Sequence, residues 1–247
     1  MPTSAMCTVE KRGSIFVLRL TGDNEHRLSP ALIDSLRSAL SQVKSEAVSS
    51  AGISALVTIA DGKFFSNGFD LAWAQSSGSR SGMVDRIHYM VESLKPLLAD
   101  LLSLPMPTIA AVTGHAAAAG FMLALGHDYV LMRRDKGVLY MSELNIGMTL
   151  PEYFTTMFRE KVASPAARRD LLLRAEKIKA EEAVKFGIVD SVHDGEEATV
   201  EAAIRLGKQL AERKWNGEVY AEIRKSLYPE MCKQLGLVSR TIVASRL

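Results

Sequence analysis

Apolar and polar positions change period several times along this chain, and each change predicts an element. Cys7–Arg12 and Ile15–Leu20 read as two strands joined by a turn at Gly13. Ser29-Pro30 is a helix start, with serine as N-cap and proline at the first helical position. Leu32, Ile33, Leu36, Leu40 and Val43 then recur at helical spacing. Residues 53–60 form a short apolar run with β-branched members, the pattern of a strand buried on both faces. The Ser- and Gly-rich stretch 75–82 predicts a mobile connection, and 83–104 a long helix that Pro96 should kink or break and that Pro105 and Pro107 end. Thr108–Val112 predicts another buried strand, 118–126 a helix and Tyr129–Arg133 a strand; 139–150 is turn-like. Pro151 and Ser164-Pro165 open helices, 179–186 is helical up to a cap at Gly187, 188–192 is a short strand, and from Glu196 onward the pattern is helical. Strands alternating with helices through about the first 190 residues predict an α/β architecture with crossover helices. No internal repeat or heptad array interrupts it.

Composition narrows the class. The chain has 247 residues, 47% hydrophobic and 23% charged, which suits a globular protein with a sizeable core. A net charge of +2, with no aromatic-interleaved basic patch, gives no ground for nucleic-acid binding; Arg133-Arg134 and Arg168-Arg169 read as solvated pairs. Cys7 and Cys232 lie far apart and form no CxxC, so neither a disulfide framework nor a zinc site is expected, and a reducing compartment is. Met1-Pro2-Thr3-Ser4-Ala5 has neither the basic region nor the apolar stretch of a secretory signal, and no membrane span is expected. Ser245-Arg246-Leu247 is similar to the Ser-Lys-Leu peroxisomal address with its cation kept, which predicts a peroxisomal location and an import receptor as partner. With no ligand cluster and no dinucleotide fingerprint, no metal or redox cofactor is expected.

Candidate chemistry lies in two segments, Phe64-Phe65-Ser66-Asn67-Gly68-Phe69-Asp70-Leu71 and Thr113-Gly114-His115-Ala116-Ala117-Ala118-Ala119-Gly120-Phe121. Each reads as a strand entering a glycine turn and then a helix start. Such a turn leaves backbone N–H groups free. Two of them aimed at one point make a hole for a negatively charged oxygen, which suits chemistry through an enolate or a tetrahedral oxyanion.

In motif order the chain resembles the crotonase (enoyl-CoA hydratase/isomerase) superfamily, over about residues 8–193. Four features carry the resemblance. Phe65 to Leu71 is similar to F-x-x-G-x-D-[IL], and Pro107 to Ala116 to K-P-x-I-A-A-V-N-G-x-A. Glu143 with Gly147 is similar to E-x-x-x-G, and Ala180 to Val189 to A-x-x-A-x-x-x-G-L-V. The resemblance implies a spiral of ββα units spanning 1–193, and a C-terminal helical region at 194–247 that helps build trimers or hexamers. It also implies an acyl-CoA thioester as substrate, CoA being part of the substrate rather than a cofactor. The thioester oxygen would sit between the N–H groups of Phe69 and Ala119, in a substrate-binding frame made by Ser66, Asn67, Gly68, Phe69, Asp70 and Gly120. Alanine at 119 departs from the usual glycine; it keeps the donor but would fail where φ is positive.

Hydratases of this family use two glutamates, and the first of those positions is Met122, which cannot activate water. The second is Glu143. One base beside an apolar neighbour implies a Δ3,Δ2-enoyl-CoA isomerase of fatty acid β-oxidation, which moves a proton from C2 to C4. Glu143 is the better candidate base. Glu152, near where peroxisomal-type isomerases carry theirs, is the rival, and its other reading is a first-turn acid favoured by the helix dipole. His115 reads as packing, Asp70 as a brace for the first turn, and Lys63 as a candidate contact to the CoA phosphates. Two alternatives stay open: a hydratase or other acyl-CoA enzyme on the same fold, and a non-catalytic acyl-CoA-binding protein.

Overall fold

The computed structural model describes residues 6–49 and 54–240; Met1 to Ala5, Ile53 and Ser245-Arg246-Leu247 lie outside the described residues. The first hairpin forms where its turn residue allows it. Gly13, at φ +63°, joins β1 (Cys7–Arg12) to β2 (Ile15–Leu20), which pair antiparallel. After α1 (Pro30–Ser49) the chain repeats one unit: a strand of a first sheet, a short strand of a second sheet, then helix. The strand pairs are β3 (Ala55–Ala60) with β4 (Phe64–Ser66), β5 (Thr108–Val112) with β6 (His115–Ala117), and β7 (Tyr129–Arg133) with β8 (Val138–Tyr140). The helices closing these units are α2 (Leu71–Gln75) with α3 (Arg80–Leu102), α4 (Ala119–Leu125), and α5 (Glu152–Lys161) with α6 (Pro165–Leu173). This is the expected ββα spiral.

Then come β9 (Ile178–Lys179), α7 (Ala180–Lys185), β10 (Ser191–His193), α8 (Gly195–Ala211), α9 (Gly217–Leu227) and α10 (Pro229–Gln234). Among the described residues the sheets run β1-β2-β3-β5-β7-β10 and β4-β6-β8-β9. All neighbouring pairs are parallel except β1 with β2 and β8 with β9.

The first sheet reads as apolar runs because both of its faces are covered. Phe16, Leu18, Leu56, Ala110 and Val112 point into the large core beneath α1, α3, α4 and α5. Their neighbours Ile15, Val17, Val57, Ile109 and Ala111 pack on the other face against Ala202 and Ala203 of α8. Thus α8, the first helix after residue 193, lies directly on the first sheet.

Two expectations need correction. The long helix runs unbroken through Pro96, because Met90, Leu94, Leu97, Leu98 and Leu101 bury on both sides of it and outweigh one lost hydrogen bond. The connection before it shrinks to 76–79: Ser79 caps α3 through the Gly82 N–H, and Arg86 ties it back to the Trp73 carbonyl and the Ser76 hydroxyl, each at 2.7 Å.

The C-terminal helices are held by a buried cation. Arg224 of α9 is 4% exposed and gives every face of its guanidinium a partner. Nε donates to Asp128 at 2.6 Å, and Nη1 to the carbonyls of Leu102 (3.1 Å) and Leu104 (2.8 Å); Nη2 reaches Asp128 and the Met106 carbonyl. Burial alone would raise the Asp128 pKa, but the charge and hydrogen bonds of Arg224 hold it below the usual carboxylate range. Removing the cation leaves that carboxylate buried without its ion-pair partner, held among the described residues only by Thr108 and Tyr220. Arg224→Ala is therefore expected to lose about 3–5 kcal/mol of folding stability in urea titrations, whereas Arg174→Ala, which removes a side chain that is 64% exposed, changes it by less than about 1 kcal/mol.

Candidate active site

The parallel strands β4, β6 and β8 end side by side, and three turns cluster beyond their carboxyl ends, where open parallel sheets place ligands. In the first turn Gly68 sits at φ +75°, and a Cβ there would lie 3.1 Å from both the Ala117 carbonyl and the Ala118 Cβ, and 3.5 Å from the Ala119 nitrogen. In the second, a Cβ on Gly120 would fall 2.4 Å from the Ser66 carbonyl oxygen. The two turns therefore touch, and two glycines make that contact possible.

The N–H groups of Phe69 and Ala119 take no part in the backbone hydrogen bonds around the two turns. The bridge between Leu28 and Phe69 uses the Leu28 N–H to the Gly68 carbonyl (2.8 Å) and the Asp70 N–H to the Leu28 carbonyl (3.5 Å), so the Phe69 N–H takes no part in it. Ala119 is the first residue of α4, so its N–H has no acceptor in its own helix. Ala118, Phe121 and Met122 make the hydrogen bonds around it.

The third turn carries Glu143. Its carbonyl accepts the N–H groups of Ile146 (3.2 Å) and Met148 (2.9 Å), and Gly147 at φ +69° completes the reversal, which accounts for the four-residue spacing of the pair. Glu143 is 8% exposed and Oε2 is buried with no hydrogen-bond partner. Burial raises its pKa above the ordinary carboxylate value, and the N–H groups of Glu143 and Ser142 offset this only in part.

Glu143 and Phe69 line one cavity of about 930 Å³. Met83, Val84, Ile87 and Val91 of α3 supply apolar lining, as do Ile146, Met148 and Leu150 of the third turn. Glu92 and Glu152 also line it. Glu92 is paired with Lys95 at 2.8 Å, and Glu152 is an exposed first-turn acid of α5. Among the described residues Glu143 is thus the buried carboxylate of the cavity. Met122 is fully buried in α4 within the large core.

The remaining candidates divide. Asp70 caps α2 by accepting the Trp73 N–H at 3.0 Å, as a brace would. Ser66 is fully buried and its hydroxyl donates to the His26 carbonyl at 2.8 Å, so its side chain is turned away from the cavity. Asn67 belongs to the same turn by its backbone, donating to the Glu25 carbonyl. The His115 ring packs on Phe64 and Tyr140 at 5.1 and 6.0 Å, and its Nδ1 has no partner. Lys63 lies over the Phe64 ring at 5.4 Å and does not line the cavity. The concern over a positive φ at Ala119 belongs one residue earlier: Ala118 is at φ +50°, ψ −124°, a region that L-residues rarely occupy, while Ala119 is helical. A run of four alanines gives no hint of which one is strained. Among the described residues no group of three His, Cys, Asp or Glu side chains could hold a metal ion, and no helix is long and apolar enough to cross a membrane.

Comparison with known proteins follows the same line. The enoyl-CoA hydratase/isomerase family model matches residues 10–236. The chain is 59% identical to peroxisomal enoyl-CoA delta isomerase 2 of Arabidopsis thaliana, over 98% of this chain and all of that one. It is 57% identical to enoyl-CoA delta isomerase 3 of the same plant, with the same coverage. Among solved structures, an enoyl-CoA hydratase of Mycobacterium ulcerans superposes with a TM-score of 0.81 at 24% identity, over 94% of this chain and 95% of that chain.

The contact between the turns is open to test. Gly120→Ala is expected to lose about 2 kcal/mol or more, since backbone would have to move. Ala118→Gly should gain about 1 kcal/mol by relieving the unfavourable φ, less the entropy glycine adds to the unfolded chain. Chemical denaturation of both variants beside wild type measures the contrast.

Proposed function

This chain belongs to the enoyl-CoA hydratase/isomerase family, and on that premise we propose that it is a Δ3,Δ2-enoyl-CoA isomerase of fatty acid β-oxidation. The observation that carries the reading is a single buried carboxylate, Glu143, lining the same cavity as Phe69, whose N–H takes no part in the bridge to Leu28. The relatives named enoyl-CoA delta isomerases support the activity, and the peroxisomal one supports the location, with Ser245-Arg246-Leu247 as the proposed address. Exposed Ile223 and Leu227 on α9 support self-association into the trimer or hexamer that the family resemblance implies.

In the proposed reaction Glu143 takes a proton from C2 of a 3-enoyl thioester. The electron pair moves toward the carbonyl, and the negative charge on the oxygen is met by the N–H groups of Phe69 and Ala119. The same carboxyl returns the proton at C4, leaving the double bond between C2 and C3. No atom is gained or lost. A base that must accept and then release one proton works best with a pKa drawn toward neutrality, and burial moves Glu143 in that direction. Donors fixed before the charge forms stabilise it without reorganisation, each worth about two to three orders of magnitude in rate. Position 122 is methionine, and among the described residues the cavity lining holds no second buried acid to place water, which disfavours hydration.

A direct assay tests the reading. Purified protein should convert trans-3-hexenoyl-CoA to the conjugated 2-enoyl ester, followed by ultraviolet absorbance, and should hydrate trans-2-hexenoyl-CoA far more slowly. Fast hydration would overturn the isomerase assignment; tight binding without turnover would favour a binding protein.

Glu143→Gln should lower kcat by about 10²–10⁴-fold, while Glu152→Gln stays within about threefold of wild type. A reversed pattern would make Glu152 the base. The pH dependence has a definite sign. Activity needs the ionised carboxylate, so kcat/KM should rise with pH through a midpoint above the ordinary carboxylate range. Stability runs the other way: a carboxyl with a raised pKa in the fold contributes stability at low pH that is lost as pH rises through that pKa. Glu143→Gln should therefore melt higher than wild type at pH 8, and the gap should close in acid.

A further inference from the structure

The loop between β2 and α1 touches no reacting atom in the reading above, yet five hydrogen bonds tie it to β4 and the first turn. Asn67 N–H donates to the Glu25 carbonyl at 2.8 Å and the Ser66 hydroxyl to the His26 carbonyl at 2.8 Å. Leu28 N–H donates to the Gly68 carbonyl at 2.8 Å, and Asp70 N–H to the Leu28 carbonyl at 3.5 Å. His26 Nδ1 lies 3.0 Å from the Phe64 carbonyl. A carbonyl only accepts, so Nδ1 carries the proton and donates. The Gly68 N–H reaches the Ser66 hydroxyl at 3.4 Å. Of the four N–H groups from 67 to 70, this leaves that of Phe69 without a partner.

His26 is the pivot of the strap. It is 2% exposed and sits at φ +45°, a conformation in which histidine is enriched among non-glycine residues. The Asp23 carboxylate fixes that bend by accepting the N–H groups of Glu25 (3.1 Å) and His26 (2.6 Å). The ring then reaches the start of β4 at Phe64 while the His26 carbonyl holds the end of that strand at Ser66, where the turn begins.

We propose that His26 is a positioning residue for the isomerisation, its ring and carbonyl fixing the first turn so that the Phe69 N–H meets the thioester oxygen. This rests on the proposed role of Phe69 as an oxyanion donor. A donor's aim matters most when the charge is largest, so its loss should appear in kcat rather than KM.

The test uses the full chain with trans-3-hexenoyl-CoA and the variants His26→Ala, His26→Gly and His26→Asn. Alanine removes the ring, glycine removes it while keeping the left-handed backbone easy, and asparagine tolerates that backbone and places an amide N–H near the former Nδ1. We expect kcat to fall about tenfold or more for alanine and glycine, with KM within about twofold, and to recover most of the way in asparagine. The red shift of a bound conjugated enoyl thioester, which reports carbonyl polarisation, should shrink in the same order. If alanine does not fold, the glycine–asparagine pair carries the comparison. Wild-type kcat in His26→Gly overturns the role of the ring, as does a change confined to KM. Wild-type protein without isomerase turnover overturns the parent reading and this one with it, whereas active wild type beside unaffected variants overturns this one alone.

Discussion

Close approach of two backbone turns is the constraint on which the site depends. The Ser66 carbonyl presses on Gly120 where a Cβ would lie 2.4 Å away, and the Lys63 carbonyl presses on Gly114 where it would lie 2.1 Å away. Neither contact admits any side chain. Because these contacts join β4 to β6, and β6 in turn pairs with β8, the spacing of the three turns is set by main-chain geometry. The side chains nearby then need only keep the frame from relaxing: Asp70 caps a helix, Ser66 points inward, and His115 packs between aromatic rings. In the proposed active centre the donors are backbone N–H groups, which alanine at 118 and 119 retains.

Stability and the proposed chemistry are assigned to different regions of the molecule. At the centre the fold keeps features that work against it: an unpartnered buried carboxyl oxygen, and an alanine and a histidine at positive φ. On the far side of α3, Arg224 and Asp128 form a fully hydrogen-bonded buried pair that joins α9 to the stretch before β5 and to the start of β7. The two regions share α3, whose one end lines the cavity and whose other end supplies the Leu102 carbonyl to Arg224. Removing strain at the centre would stabilise the chain at the risk of its chemistry.

Much of the fold was legible because its signals are local. Gly13, Ser29-Pro30 and Ser164-Pro165 punctuate the chain where elements begin or turn, and the apolar runs mark the first sheet. The second sheet was not, since strands of two or three residues are too short to show a period. Pro96 misled because tertiary burial outweighs one missing hydrogen bond. The Arg224–Asp128 pair spans 96 residues and leaves no pattern in sequence. At the site, glycine spacing and Glu143 stood out, whereas the strain at Ala118 and the bend at His26 depend on φ, which residue identity alone does not reveal.

The arrangement of α8 has a consequence for how the chain is made. Ile15, Val17, Val57, Ile109, Ala111 and Leu131 form a continuous apolar face that, among the described residues, Gly195–Ala211 covers. Every strand of the first sheet precedes that helix in the chain. During synthesis from the N-terminus the sheet can assemble one strand at a time, but it keeps a sticky surface until this late segment leaves the ribosome. A nascent chain stalled or truncated before residue 195 would carry an assembled but half-naked sheet, the kind of species that chaperones retain and that aggregates when they are scarce.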